Sequence, residues 1–327
     1  MPGRDVKSME TIFADKLSKK YDDNLAVNSL SLSIHPEIYG LLGPNGSGKT
    51  TTVNMLTTMI KPTSGNATVC GYDIRTEQKS IRERMSYVPQ YIAADTKLTG
   101  RENVNLYAKL YGLRDKSERK AKVNEAMSIM GLSERADDLT KTYSGGMHRR
   151  LEIAQALVHD PEILFLDEPT VGLDVSARRS IWEHIVSLRH KGMTIFVTTH
   201  QMDEAERYCD RVGIVKRGNL IKEGKPSDLT ASVKSIISIG VEGPVPESLY
   251  DRVEFVKNEN GEAIFLSENF IDLDDVLSEY SKEGIRVYSS SIRKPTLEDI
   301  YLLSIDKGSE DLGSFNRGQF NNMMRRR

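Results

Sequence analysis

An α/β fold on a parallel sheet, followed by a smaller α+β domain, is what the sequence predicts, and three features carry that reading. First, the short apolar run Ile38, Tyr39, Leu41, Leu42 leads into Gly43-Pro44-Asn45-Gly46-Ser47-Gly48-Lys49-Thr50. Met55, Leu56, Met59 and Ile60 then follow at helical spacing, a pattern that Lys61-Pro62 ends. Second, unbroken apolar runs at Ile163-Leu164-Phe165-Leu166, Thr194 to Thr198 and Val212 to Val215 alternate with helical patterns, as parallel strands buried on both faces do. Third, the pattern changes past about Thr230, where stretches 235–241, 252–257, 262–267 and 285–292 alternate like strands around one helix.

Residues 1 to about 10 carry no pattern and are expected to be unstructured. Leu25, Val27, Leu30, Leu32 and Ile34 lie mostly at period two, so residues 11–35 predict an antiparallel meander ahead of the strand at Ile38. Ser80 to about Val158 reads as helical. Thr99 caps a helix that carries Leu106, Leu110 and Tyr111, and a second helix runs from about Ser117 to Met130, stopping at Gly131. Trp182 to His190 predicts another helix. In the C-terminal region Leu273, Val276, Leu277 and Tyr280 form one helical face that ends at Gly284. Thr296-Leu297-Glu298-Asp299 has capping-box form, with Asp in place of Glu or Gln, and starts a last helix. From Lys307 the chain is rich in Gly, Ser and Asn and ends Arg325-Arg326-Arg327, which predicts a disordered tail.

The segment from Gly43 to Thr50 has the G-x-x-x-x-G-K-[ST] spacing of a phosphate-cradling P-loop, in the strand–loop–helix context that the motif needs. Glycines let backbone N–H groups turn around an anion, and the helix N-terminus adds about half a positive charge. Lys49 is placed to reach the β- and γ-phosphates of a bound nucleotide, and the Thr50 hydroxyl to hold Mg²⁺. Asp167 closes an apolar strand, where a carboxylate meets Mg²⁺ beside such a loop, and Glu168 follows directly. One carboxylate holds the metal while the other takes a proton from attacking water. Ser144 is a good N-cap ahead of a helix with Leu151, Ile153, Ala154, Leu157 and Val158. Gly145 and Gly146 leave N–H groups exposed at its positive end, a second anion site that is weak evidence alone. His200 follows a strand at the sheet edge where parallel sheets bind ligands, and Tyr21 offers a ring on which a flat base can stack.

The order of these motifs resembles the ATP-binding cassette (ABC) ATPases over residues 11–229. The matching positions are the P-loop, Gln90 after Tyr87-Val88-Pro89, Ser144-Gly145-Gly146, Asp167-Glu168-Pro169-Thr170, Gly172-Leu173-Asp174 and His200. The resemblance implies a P-loop NTPase cassette: a mixed sheet with an antiparallel β subdomain and a helical subdomain at about 90–160. A small α+β accessory domain follows at 230–306 and a tail at 307–327. It implies ATP contacts from Tyr21, Gly43, Pro44, Asn45, Gly46, Ser47, Gly48, Lys49, Thr50, Thr51 and Gln90, with Mg²⁺ held by Thr50, Gln90 and Asp167. It makes Glu168 the general base, with Lys49 and His200 as catalytic partners. Gln90 resembles the glutamine that senses a membrane partner, Ser144 to Gly146 the signature that grips the opposite subunit's γ-phosphate, and Asp174 the D-loop residue. The signature departs from the commonest form at Tyr143 and Met147, and the D-loop reads Val-Gly-Leu-Asp. These variants, with Pro295 to Leu302, resemble the daunorubicin-resistance-type branch of ATP-binding subunits of exporters, whose permease is a separate chain.

In this fold one chain's P-loop and signature lie on different lobes, so a complete site implies a second cassette, head to tail, with two ATPs at the seam. Net charge of −2 gives no reason to expect nucleic acid as a partner, and two cysteines are too few for a disulfide framework. No signal-peptide layout and no apolar run of about 20 residues is present, which predicts a cytoplasmic protein. The resemblance implies a peripheral subunit on the cytoplasmic face of a membrane, attached to an integral permease. The alternative weighed is a soluble ABC ATPase that acts on DNA or ribosomes. Its DNA-repair members separate P-loop and signature by a long coiled coil, whereas the stretch from Thr50 to Ser144 has no sustained heptads.

Overall fold

The computed structural model describes residues 10–91, 94–231, 235–241, 243–249, 254–259, 262–267 and 273–306. The tail expected from 307 and the first nine residues lie outside them. The chain divides into two compact units, Met1–Glu223 and Gly224–Arg327.

The first unit opens with strands β1 (Ile12–Tyr21), β2 (Asn24–Ile34) and β3 (Ile38–Leu42), then helix α1 (Lys49–Leu56). Strands β4 (Ser64–Val69) and β5 (Tyr72–Asp73), helix α2 (Gln78–Arg82) and strand β6 (Met85–Val88) follow. Three helices come next: α3 (Gly100–Leu110), α4 (Lys116–Ile129) and α5 (Gly145–Leu157). The rest alternates: β7 (Ile163–Asp167), α6 (Val175–His190), β8 (Thr194–Thr199), α7 (Met202–Tyr208), then β9 (Arg211–Lys216) and β10 (Asn219–Gly224).

Two sheets result. The six-stranded sheet has the order β10-β9-β3-β8-β7-β6, and β9, β3, β8, β7 and β6 pair in parallel. Strands β3, β7 and β8 are buried along almost their whole length, which is why their sequences are unbroken apolar runs. The C-terminal ends of β3, β6, β7 and β8 therefore share one edge, and from it leave the P-loop, Gln90, Glu168 and His200. The second sheet has the order β2-β1-β4-β5. It holds the antiparallel pair expected over residues 11–35, β1 with β2, and adds a partner from outside that stretch: β4, which lies beyond the P-loop helix, pairs antiparallel with the other side of β1. Leu17, Leu30, Val53, Leu56, Phe165 and Phe196 join one core between these elements. Each such buried side chain stabilises by roughly 1.5–3 kcal/mol.

One correction concerns residues 80–158, which are not helical throughout. Met85 to Val88 is an edge strand, made one by its pairing with β7 rather than by any alternation of its own. The helix expected from Trp182 starts earlier, at Val175, because Asp174 caps it: the side chain accepts from the Ala177 N–H at 2.9 Å. Side-chain caps also start α3 and α4. Thr99 and Glu102 make the reciprocal pair of a capping box at α3, and Asp115 caps α4, which ends at Gly131 with φ +61°.

The second unit contains α8 (Pro226–Thr230), β11 (Ser235–Val241), β12 (Glu254–Glu259), β13 (Glu262–Ser267), α9 (Leu273–Lys282), β14 (Val287–Arg293) and α10 (Leu297–Asp306). Its antiparallel sheet has the order β12-β13-β11-β14, and Val276 and Tyr280 of α9 pack on Ile237, Ile239 and Phe265. Thr296 and Asp299 close the capping box at α10: the Thr296 N–H donates to the Asp299 carboxylate at 2.8 Å, and the Asp299 N–H to the Thr296 hydroxyl at 3.4 Å.

Candidate active site

The P-loop wraps the first turn of α1, which carries no acidic side chain and so leaves its N–H groups facing a site suited to an anion. Gly48 is the N-cap with φ +103°, and a Cβ there would lie 2.4 Å from the Ala26 carbonyl oxygen, so this position requires glycine. The Lys49 ammonium is buried over the loop and donates to the carbonyls of Gly43 at 2.7 Å and Pro44 at 3.2 Å.

Asp167, at the end of β7, comes to the same place. Its Oδ2 accepts from the Thr50 hydroxyl at 3.2 Å and from the Tyr87 phenol at 3.4 Å, and its Oδ1 accepts from the Thr198 hydroxyl. Burial, then the Asp167 charge beside it, pushes the Tyr87 phenol well above its usual range, so Tyr87 stays a donor. Thr50 and Asp167 thus offer two hard oxygens at one point, which fits a Mg²⁺ that takes its remaining ligands from phosphate and water.

The next residue turns out of the strand. Glu168 has φ +49°, a left-handed conformation that costs a non-glycine residue about 1 kcal/mol or more. That turn is how two consecutive carboxylates reach one pocket. Glu168 is buried, with Oε1 3.4 Å from the Lys49 ammonium and Oε2 2.9 Å from Nδ1 of His200, whose ring is half exposed. Lysine, carboxylate and imidazole therefore form one connected row.

A cleft of about 530 Å³ opens beside this row. Tyr21, Asn45, Gly46, Ser47, Gly48, Lys49, Thr50, Thr51, Gln90 and Glu168 line it, together with Asn24, Leu25, Ala26, Arg217 and Gly218. The Tyr21 ring is 44 % exposed, with the Lys19 ammonium 5.0 Å from its centre. Gly43 and Pro44 meet Lys49 from behind. Ser144, Gly145, Gly146 and Asp174 are not among the lining residues. Ser144 caps α5 by accepting from the Met147 N–H at 3.3 Å, and Gly145 and Gly146 pack against Leu173 and Ala177.

Three residues have a place at the site that the sequence reading did not assign to them. Thr198 and Tyr87 orient Asp167, and the hydroxyl pair Thr198-Thr199 at a strand end is the signal that could have found the first. Arg149 is buried inside α5 with Glu152 and Gln155, one buried polar stripe at three-residue spacing. That spacing is visible in the sequence.

A family model described as ABC transporter matches residues 27–171. The Nod factor export ATP-binding protein I of Burkholderia orbicola (strain AU 1054) is 39 % identical over 300 residues, covering 90 % of this chain and 97 % of that protein. The linearmycin resistance ATP-binding protein LnrL of Bacillus subtilis (strain 168) is 36 % identical over 301 residues, covering 88 % and 96 %. The daunorubicin/doxorubicin resistance ATP-binding protein DrrA of Streptomyces peucetius is 35 % identical over 306 residues, covering 90 % and 92 %. Among solved structures, a dimeric ATP-binding cassette in a post-hydrolysis state with ADP and Pi superimposes with a TM-score of 0.59 at 28 % identity, covering 65 % of this chain and 98 % of that one. The chain belongs to the ABC transporter family, as one of its ATP-binding, ATP-hydrolysing subunits.

Proposed function

We propose that this subunit powers export through a separate integral-membrane permease, with ATP hydrolysed at the seam between two cassettes. The observation that carries the chemistry is the row Lys49, Glu168, His200 beside the Thr50–Asp167 pair, all at one edge of the parallel sheet. In the proposed reaction the P-loop amides and Lys49 bind the β- and γ-phosphates, and Tyr21 stacks on the base. Glu168 takes the proton of the attacking water, and His200 contacts the γ-phosphate and holds the Glu168 carboxylate in place. Thr50, Asp167 and Gln90 would hold Mg²⁺, which when bound neutralises the charge that develops on the phosphates.

The cassette at 11–229 pairs with a second copy so that Ser144 to Gly146 and Asp174 complete the partner's site; residues 230–306 form an accessory domain. That Ser144 to Gly146 and Asp174 do not line the cleft of their own chain supports the pairing. In this reading the chain is a peripheral subunit on the cytoplasmic face; among the described residues no helix is long and apolar enough to cross a membrane. A groove of about 900 Å³ beside α3, lined by Leu110, Tyr111, Leu113, Lys122 and His159, supports the helical segment as the place where the permease docks. The names of the export and resistance relatives support export. Helices of 11 and 14 residues between P-loop and signature, in place of a coiled coil, speak against a DNA-acting ATPase.

Glu168→Gln is the deciding experiment. The variant is expected to bind ATP as the parent does, to lose at least about a hundredfold in turnover and to accumulate as an ATP-bound dimer in gel filtration. Unchanged turnover removes Glu168 from the role of base. Parent turnover per subunit that stays constant on dilution below the dimer's dissociation constant removes the shared site. Isolation from membranes with a multi-span protein bound checks the permease.

A further inference from the structure

Arg149 sits five residues into the signature helix α5, 5 % exposed, and its guanidinium makes four contacts. Nε donates to the Pro169 carbonyl at 3.1 Å and Nη2 to the Asp167 carbonyl at 2.9 Å; Nη1 donates to the Pro89 carbonyl at 2.6 Å and to Glu152 Oε2 at 3.0 Å. Three of these acceptors are main-chain carbonyls next to residues of the site. Asp167 and Pro169 flank Glu168, and Pro89 precedes Gln90.

The Asp167–Glu168 peptide unit is held at both ends. Arg149 takes its carbonyl, and its N–H donates to the Thr198 carbonyl at 3.0 Å. With the Pro169 carbonyl also held, the left-handed turn at Glu168 is enclosed on both sides. A buried guanidinium is poor evidence for stability, since an apolar side chain of similar size often does as well. A planar fork of five N–H donors can, however, span three carbonyls on two separate segments, a reach that the compact ammonium of a lysine lacks.

We propose that Arg149 is a positioning residue: it holds the Glu168 carboxylate at its working place and ties that place, and the start of the Gln90 loop, to the helix whose N-terminus carries Ser144-Gly145-Gly146. A shift of α5 then moves the flanks of Glu168 and Gln90 together. This rests on Glu168 acting as the base, and the test separates the two ideas.

The experiment is a cycle in the full-length chain: parent, Arg149→Lys, Glu168→Gln and the double variant, with single-turnover hydrolysis and fluorescent-ATP affinity measured for each. Arg149→Lys is expected to lower the hydrolysis rate at least about thirtyfold in the parent, since misplaced catalytic groups cost on the order of a hundredfold. It is expected to leave ATP affinity within threefold and to change the residual rate of Glu168→Gln less than twofold. An equal loss in both backgrounds, or a rate within twofold of the parent, overturns the proposal; an unimpaired Glu168→Gln single variant overturns the base assignment instead. If Arg149→Lys does not fold, Arg149→Gln, which puts no ammonium into the buried site, carries the same cycle with the same criteria.

Discussion

The Lys49 ammonium lies 3.4 Å from the Glu168 carboxylate with both side chains more than nine-tenths buried, so the P-loop and the end of β7 share an ion pair. Lys49 also donates to two carbonyls of its own loop, and Glu168 meets His200 on its other oxygen. In the proposed reaction an arriving triphosphate competes with Glu168 for Lys49. Each carboxylate–phosphate exchange at that lysine leaves Glu168 free to face water while His200 keeps its orientation. Four predictions follow from the surrounding geometry.

Glycine at 48 answers to backbone shape and space at once. Gly48→Ala forces a Cβ to 2.4 Å from the Ala26 carbonyl at φ +103°, so a cost on the order of 1–3 kcal/mol and loss of ATP binding are expected. Gly46, with φ +78° and open space around it, meets only the conformational term, and Gly46→Ala is expected to cost about 1 kcal/mol. Urea unfolding of the pair checks this, and equal costs would contradict it.

Thr198 is fully buried and donates to Asp167 Oδ1. Thr198→Val keeps the shape and removes the donor. Turnover is expected to fall about tenfold, and the Mg²⁺ concentration for half-maximal rate to rise, because partners of metal-binding groups typically set 10- to 100-fold in affinity or activity. A Mg²⁺ titration of the ATPase rate measures both.

Tyr21 lines the cleft with its ring 44 % exposed. Tyr21→Ala is expected to raise KM for ATP about tenfold with kcat within twofold, since base stacking on an aromatic ring is worth about 1–3 kcal/mol. Tyr21→Phe is expected to behave as the parent. Steady-state kinetics on the three proteins decides; a fall in kcat at unchanged KM would remove the stacking role.

His159 stacks on Tyr111 with ring centres 3.6 Å apart and meets the Met85 carbonyl at 3.3 Å. Burial lowers its readiness to take a proton, and the Met85 hydrogen bond only partly opposes this. The unfolded chain then binds the proton more readily, so the stabilising effect is fully present above the unfolded value of about 6.5 and is lost as pH falls below it. His184 is shifted in the same direction, chiefly by burial and then by Arg150. The urea midpoint is expected to fall between pH 7.5 and pH 5.5, and to fall less in His159→Phe. An identical fall in both would exclude His159 as a contributor.

Much of the fold was legible because it is local. Glycine spacing, helix caps and unbroken apolar runs act within about ten residues, and Thr99, Ser144, Gly131 and Gly284 sit where such signals put them. The strand at Met85 to Val88 was not legible, because only its pairing with β7 makes it a strand. Nor was the second partner of β1, which arrives from beyond α1.

By itself, the sequence determined the chemistry available: a loop that cradles phosphate, a carboxylate pair at a strand end, a capped glycine pair and a histidine after a strand. Only the tertiary structure decided that these meet. The order β3-β8-β7-β6 sets their distances, the left-handed turn at Glu168 aims its carboxylate, and Arg149 reaches three carbonyls on two segments far apart in sequence. Residue type is a property of each position, whereas a separation of 3 Å between side chains far apart in sequence comes from packing, which no single stretch contains.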